Sequence, residues 1–135
     1  MPGSILLVDD NRDTVDSIAI LLRESGHDVA KAYSAPEALD LLDGNSHIHL
    51  VISDVRMPGL DGFDFRRVVR HRFPGLPMVL ITGIPITSDD VVPRDAAILQ
   101  KPIDIGELEQ AIAEALQSHA SSDSGGSTST ALQSL

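Results

Sequence analysis

Apolar residues fall into short unbroken runs separated by stretches of helical spacing. Ile5-Leu6-Leu7-Val8, Leu50-Val51-Ile52 and Met78-Val79-Leu80-Ile81 are continuous, as strands covered on both faces of a parallel sheet require. Weaker runs at Val29 to Tyr33 and Ala97 to Leu99 suggest two further strands. Between them, Val15, Ile18, Ala19 and Leu22 recur at helical spacing, as do Ala38, Leu41 and Leu42, then Phe65, Val68 and Val69, then Ile105, Leu108, Ile112 and Leu116. Gly26 stands where the first helix needs a left-handed stop. Ser34 and Glu37 are spaced to cap the second helix, and Asp104 and Glu107 to cap the last.

This alternation predicts a doubly wound α/β fold, a five-stranded parallel sheet with helices on both faces. The rhythm breaks once. Between Thr82 and Lys101, Pro85 and Pro93 bracket a segment of little apolar periodicity, so the fourth helix is expected to be shortened or missing. From Ser118 onward the chain turns to Ser, Gly, Thr and Ala, a composition that cannot offset its own ordering entropy. The expected organisation is one domain over residues 4–117 and a flexible tail or linker over 118–135.

Composition narrows the chemistry. A length of 135 residues with 42% hydrophobic content suits one ordinary core. The formal net charge of −10 disfavours direct binding to nucleic acid, which draws affinity from clustered Lys and Arg. Without cysteine there is neither a disulfide framework nor a thiolate metal site. The first apolar run is too short for a signal peptide or a membrane span, so a cytoplasmic protein is expected.

Functional groups of an open parallel sheet gather at the carboxyl ends of its strands. The residues there are Asp9 and Asp10 after the first strand, Asp54 after the third, Thr82 after the fourth and Lys101 after the fifth. Taken singly, each has an ordinary explanation: Asp10 or Asn11 as a helix cap, Thr82-Gly83 as a turn, Lys101 as a surface charge. Together they set three carboxylates, a hydroxyl and an ammonium on one rim. Two carboxylates about 4 Å apart at an effective dielectric near 20 repel by roughly 4 kcal/mol, so the set calls for a cation. Hard oxygen ligands select Mg²⁺ or Mn²⁺.

Asp9-Asp10, the run Asp54-Val55-Arg56-Met57-Pro58-Gly59-Leu60-Asp61-Gly62, Thr82-Gly83 and Lys101-Pro102, in this order, resemble the signature of bacterial two-component response-regulator receiver domains, single-domain or hybrid-kinase-type, over roughly residues 4 to 117. The resemblance implies a flavodoxin-like fold. It implies that Asp54 accepts a phosphoryl group from a sensor histidine kinase or a histidine phosphotransfer protein, and that Asp9 or Asp10, with Asp54 and the Arg56 carbonyl, hold Mg²⁺. It also implies a cis bond before Pro102. Lys101 would neutralise a phosphoryl oxygen, and the Thr82 hydroxyl would swing to donate to the new phosphoryl group. Such a module is not an enzyme beyond catalysing its own phosphorylation and dephosphorylation.

The chain departs from that pattern at Ile98, three residues before Lys101, where the family usually carries an aromatic partner for the Thr. The expected alternative is a haloacid-dehalogenase-like phosphatase, but its two acids are separated by one residue after the first strand, whereas Asp9 and Asp10 are adjacent. A nucleotide or flavin binder lacks its Gly-rich phosphate loop here. His47 and His49 read as loop residues rather than a metal site. Arg66, Arg67, Arg70, His71 and Arg72 read as a solvated helix face, and Phe63 and Phe65 as core.

Overall fold

The computed structural model describes residues 4–44, 47–83 and 96–123, with side chains through residue 117. The apolar runs form parallel strands β1 (Ser4–Val8), β2 (Asp28–Ala32), β3 (Leu50–Asp54), β4 (Met78–Thr82) and β5 (Ala97–Gln100), in the order β2-β1-β3-β4-β5. The helices among the described residues are α1 (Arg12–Glu24), α2 (Ala35–Gly44), α3 (Gly62–Arg72) and α4 (Ile105–Asp123). The expected shortened or missing helix between β4 and β5 falls on residues 84–95, outside the described residues.

Because successive strand residues point to opposite faces, each central strand feeds two cores. Ile5, Leu7, Leu50, Ile52, Val79 and Ile81 meet Val15, Ile18, Leu22, Leu108 and Ile112 of α1 and α4. Leu6, Val8 and Val51 meet Ala38, Leu42, Phe65 and Val69 of α2 and α3. A third group joins Val55, Phe63 and Leu80, with Ile98 packed against it, so Phe63 and Phe65 are core residues. Each such Leu, Ile or Phe contributes about 1.5–3 kcal/mol on burial. β1, β3 and β4 are buried on both faces, whereas β2 and β5 at the edges are half-exposed.

Local signals act with small shifts. Asn11 caps α1, its side chain accepting from Thr14 N–H at 3.1 Å. The helix closes where Gly26 adopts φ 97° and His27 N–H donates to the Leu22 carbonyl at 3.1 Å, the Schellman arrangement. Glu37 N–H donates to Ser34 Oγ at 3.2 Å, but the Glu37 carboxylate returns to Tyr33 N–H at 2.6 Å, one residue earlier than a capping box would have it. Asp104 accepts from Glu107 N–H at 3.1 Å. α4 runs through residues 118–123, past the boundary at 117 read from composition. Ser and Ala there are compatible with helix, and the breaking pair Gly125-Gly126 comes only later.

Gly62 opens α3 directly against the end of β3. A Cβ at this position would overlap the Asp54 carbonyl oxygen and lie 2.7 Å from Val55 Cα, both backbone atoms that cannot swing aside. Gly62→Ala is therefore expected to lower folding stability by about 1–3 kcal/mol in urea unfolding. Gly44→Ala, where nothing lies within 4 Å, should leave the midpoint unchanged or slightly raised.

Candidate functional site at the carboxyl edge of the sheet

Strand register builds the site. β1 pairs with β3 so that Val8 stands opposite Ser53, and β3 pairs with β4 so that Asp54 stands opposite Ile81. Asp9 and Asp54, each the next residue after the Val8–Ser53 pair, must leave the sheet side by side. Thr82 follows Ile81 and pairs with Gln100, which puts Lys101 at the same edge. Lys101 N–H donates to the Thr82 carbonyl at 2.7 Å, and the Lys101–Pro102 bond is cis.

Asp9, Asp54 and Thr82 are buried, whereas Asp10 is exposed. Carboxylate oxygens of Asp9, Asp10 and Asp54 all lie within 4.8 Å of one another. Lys101 Nζ donates to Asp9 Oδ2 at 2.9 Å and stands 3.5 Å from Asp54 Oδ1. The second contact is an ion pair without hydrogen-bond geometry, so buried Asp54 Oδ1 has no hydrogen-bond partner. Asp9 Oδ1 accepts from Asn11 N–H at 3.0 Å. Asn11, not Asp10, caps the helix, which leaves the Asp10 carboxylate to the acidic group. Arg56 lies two residues past Asp54, half-buried, on the loop leaving β3.

The electrostatics follow from this crowding. Burial, and next the charge of Asp9, push the Asp54 carboxyl up to about 6 from an ordinary value of 3.8, against the pull of Lys101. Burial alone would lower Lys101, but its hydrogen bond to Asp9 and the charges of Asp54 and Asp9 raise it overall. Asp9 and Asp54 share the Lys101 ammonium, with the Asp10 carboxylate close by. The residues therefore fit a small hard cation: oxygen donors only, a separation one ion can span, and a buried carboxylate oxygen lacking a hydrogen bond.

Other candidates from the sequence resolve differently. His49 Nδ1 accepts from Ser4 N–H at 3.2 Å, a structural role, and His47 is exposed; the acid trio is the cluster suited to a metal among the described residues. The basic face of α3 is not simply solvated. Arg66 is buried, Arg67 pairs with Asp64 at 3.0 Å, and Arg72 pairs with Asp43 at 2.6 Å. Packing against α2 brings Asp43 to Arg72, a partner 29 positions away that helical spacing does not reveal.

Sequence reading missed a second polar group at this edge. Tyr33 OH donates to Asp16 Oδ1 at 3.3 Å, Lys31 Nζ reaches the same oxygen at 3.0 Å, and the Arg12 guanidinium lies 4.0 Å above the Tyr33 ring. The Lys31 hydrogen bond holds Asp16 below, and Lys31 above, their ordinary ranges. Lys31 interrupting an otherwise apolar strand was the available signal. Ser53, the hydroxyl at the end of Leu50-Val51-Ile52, was also passed over.

Comparison with known proteins agrees with this geometry. Residues 5–113 match the response regulator receiver domain. The chain belongs to that family. It is 37% identical to the response regulator Rre1 of Synechocystis sp., over 99% of this chain and 60% of that protein. It is 33% identical to the transcriptional regulatory protein GlrR of Escherichia coli, over 88% of this chain and 27% of that protein. The chain thus spans less than two thirds of the length of either relative. Among solved structures, the receiver domain of the hybrid histidine kinase CckA aligns with a TM-score of 0.70 at 36% identity, covering 85% of this chain and all of that one. The response regulator TrrA of Thermotoga maritima, in complex with Mg²⁺–BeF, aligns with a TM-score of 0.77 at 25% identity, covering 84% of this chain and 99% of that one. Receiver domains of this family are phosphoacceptor signalling modules, and the phosphatase alternative is not favoured. No helix among the described residues is long and apolar enough to cross a membrane.

Two measurements probe the acidic pocket. A carboxyl harder to ionise in the folded than in the unfolded chain favours folding below its unfolded pKa, and that contribution is lost as pH rises through the folded value near 6. In metal-free buffer at pH 7.5, Asp54→Asn should therefore be more stable than the parent by about 1–2 kcal/mol, after discounting for solvent screening at the open rim. The difference should fade towards pH 4, as read by urea unfolding across pH. Separately, Mg²⁺ at about 100 times its dissociation constant should stabilise the fold by roughly 2.7 kcal/mol. Asp9→Asn should blunt that gain in a melting titration.

Proposed function

We propose that this receiver accepts a phosphoryl group on Asp54 from the phosphohistidine of a sensor histidine kinase or a histidine phosphotransfer protein. The observation that carries the reading is the meeting of Asp9, Asp10 and Asp54 within 4.8 Å, with Lys101 at 2.9 Å from Asp9 and 3.5 Å from Asp54. In this reading an Asp54 carboxylate oxygen attacks phosphorus in line, the phosphorus–nitrogen bond breaks, and the imidazole leaves with the electron pair. Phosphoryl transfer depends on positioning and charge neutralisation more than on intrinsic nucleophilicity, so Asp54 needs little further activation.

Asp9, Asp10, Asp54 and the Arg56 carbonyl would hold Mg²⁺, or Mn²⁺ in its place. When bound, the cation relieves the mutual repulsion of the acids and draws charge from the phosphoryl oxygens. Lys101 is already at the rim and neutralises another oxygen as a compact charge on a long stem. Buried Thr82 at the end of β4 offers its hydroxyl to the phosphoryl group. The signal cannot pass to an aromatic ring in β5, because Ile98 packs there against Val55, Phe63 and Leu80. We assign the receiver to residues 4–117, with 118–135 as a tail or linker whose first turns continue α4, and place the protein in the cytoplasm. Autophosphorylation from small donors and autodephosphorylation belong to the same proposal.

Incubation with acetyl phosphate and Mg²⁺, followed by intact mass measurement, tests this reading. The parent should gain one phosphoryl group, and Asp54→Asn should gain none. Modification of the Asn variant to the same extent, or none in the parent with either acetyl phosphate or a phosphohistidine donor, would remove Asp54 from the role.

A further inference from the structure

The residue before Asp54 in strand β3 carries a hydroxyl that the chemistry above leaves unused. Ser53 has no exposed surface, and removing a hydroxyl from water without a compensating bond costs about 1–3 kcal/mol. Its Oγ donates to the Asp54 carbonyl at 3.0 Å. The β1–β3 pairing ends at Val8 opposite Ser53, so the Asp54 carbonyl lies one residue beyond that register. A side chain one residue back supplies its donor, the local kind of bond by which Ser competes with backbone ladders.

The same peptide unit is gripped elsewhere. Val55 N–H donates to the Ile81 carbonyl at 2.8 Å, and in the next unit, Val55–Arg56, the Val55 carbonyl accepts from Gly62 N–H at 2.7 Å. Gly62 lies so close that a Cβ would overlap the Asp54 carbonyl oxygen. The Asp54–Val55 peptide is therefore held at its oxygen by Ser53, at its nitrogen by β4, and on its flank by the first residue of α3. Rotation of this unit changes ψ of Asp54 and φ of Val55. Those two angles set the Asp54 carboxylate relative to the loop that carries Arg56.

We propose that Ser53 is a positioning residue for the phosphoacceptor: its hydroxyl locks the Asp54–Val55 peptide so that the Asp54 carboxylate and the Arg56 carbonyl face one cation. The proposal rests on the reading of Asp54 given above. A hydroxyl that only satisfied the core would support folding and nothing else. One that positions also controls cation affinity and the rate of transfer, since groups that orient metal ligands affect affinity by about tenfold or more and small misplacements slow reactions steeply.

The test compares Ser53→Ala, Ser53→Thr and Ser53→Cys in the full chain. Mg²⁺ dissociation constants come from calorimetric titration, phosphorylation rates from intact mass with acetyl phosphate, and stability from urea unfolding. Ser53→Ala should weaken Mg²⁺ binding about tenfold and slow phosphorylation by on the order of tenfold, while Ser53→Thr restores both. Ser53→Cys, close in shape but a weak donor, should follow the Ala variant and serves as the readout if Ala does not fold. Ala and Cys variants that bind Mg²⁺ and react like the parent, whatever their stability, overturn the positioning role. So does a folded Thr variant that fails to restore either quantity. A parent chain that neither binds Mg²⁺ nor takes up phosphate overturns the phosphoacceptor reading and this proposal with it, whereas a working parent beside an unaffected Ala variant removes this proposal alone.

Discussion

The parallel register of β1 and β3 governs both the core and the chemistry. Val8 opposite Ser53 is required by the apolar faces on either side, because a slip of one residue would turn Leu50 and Ile52 away from α1 and α4 and present their neighbours instead. The same register obliges Asp9 and Asp54 to leave the sheet together. A hydrophobic constraint thus creates an electrostatic conflict at the strand ends, and the two cannot be relaxed independently.

How the conflict is shared explains the character of the rim. Asp10 remains in solvent, where water screens its charge, while Asp9 is buried and directly bonded to Lys101 at 2.9 Å. Asp54 stands 3.5 Å from the same ammonium, and burial, followed by the charge of Asp9, makes its carboxyl harder to ionise than an ordinary aspartate. A buried carboxylate oxygen without a hydrogen bond thus belongs to the group proposed to meet a phosphoryl group and a cation. Strain and unsatisfied charge concentrate at such sites when the rest of the fold over-determines them. Here the two cores against β1, β3 and β4 supply that over-determination.

Away from the rim, some polar and charged groups pair within the molecule. His27 Nε2 lies 2.9 Å from Glu109 Oε1 of α4, and Arg72 and Arg67 meet acids on α2 and α3. The first links α4 to the turn before β2 and the second links α3 to α2, whereas Arg67 and Asp64 pair within α3. The acid trio and Lys101 gather at the carboxyl edge, the part of the sheet that a phosphoryl donor would approach in the proposed function.

Alternating apolar runs and helical spacings determined the element order, the parallel sheet and the five side chains at strand ends, because period and burial are local properties of the chain. The identity of the α1 cap did not follow, since Asp10 and Asn11 are chemically equivalent candidates until geometry selects Asn11. Nor did the end of α4, because a Ser- and Ala-rich composition permits helix without demanding it. Burial of Arg66, the Arg72–Asp43 ion pair, the Tyr33–Asp16–Lys31 group and the close approach of Gly62 to the Asp54 carbonyl were decided only by tertiary structure. Each depends on groups from different elements approaching within a few ångströms, and a one-dimensional pattern records which residues share a face but not which faces come to touch.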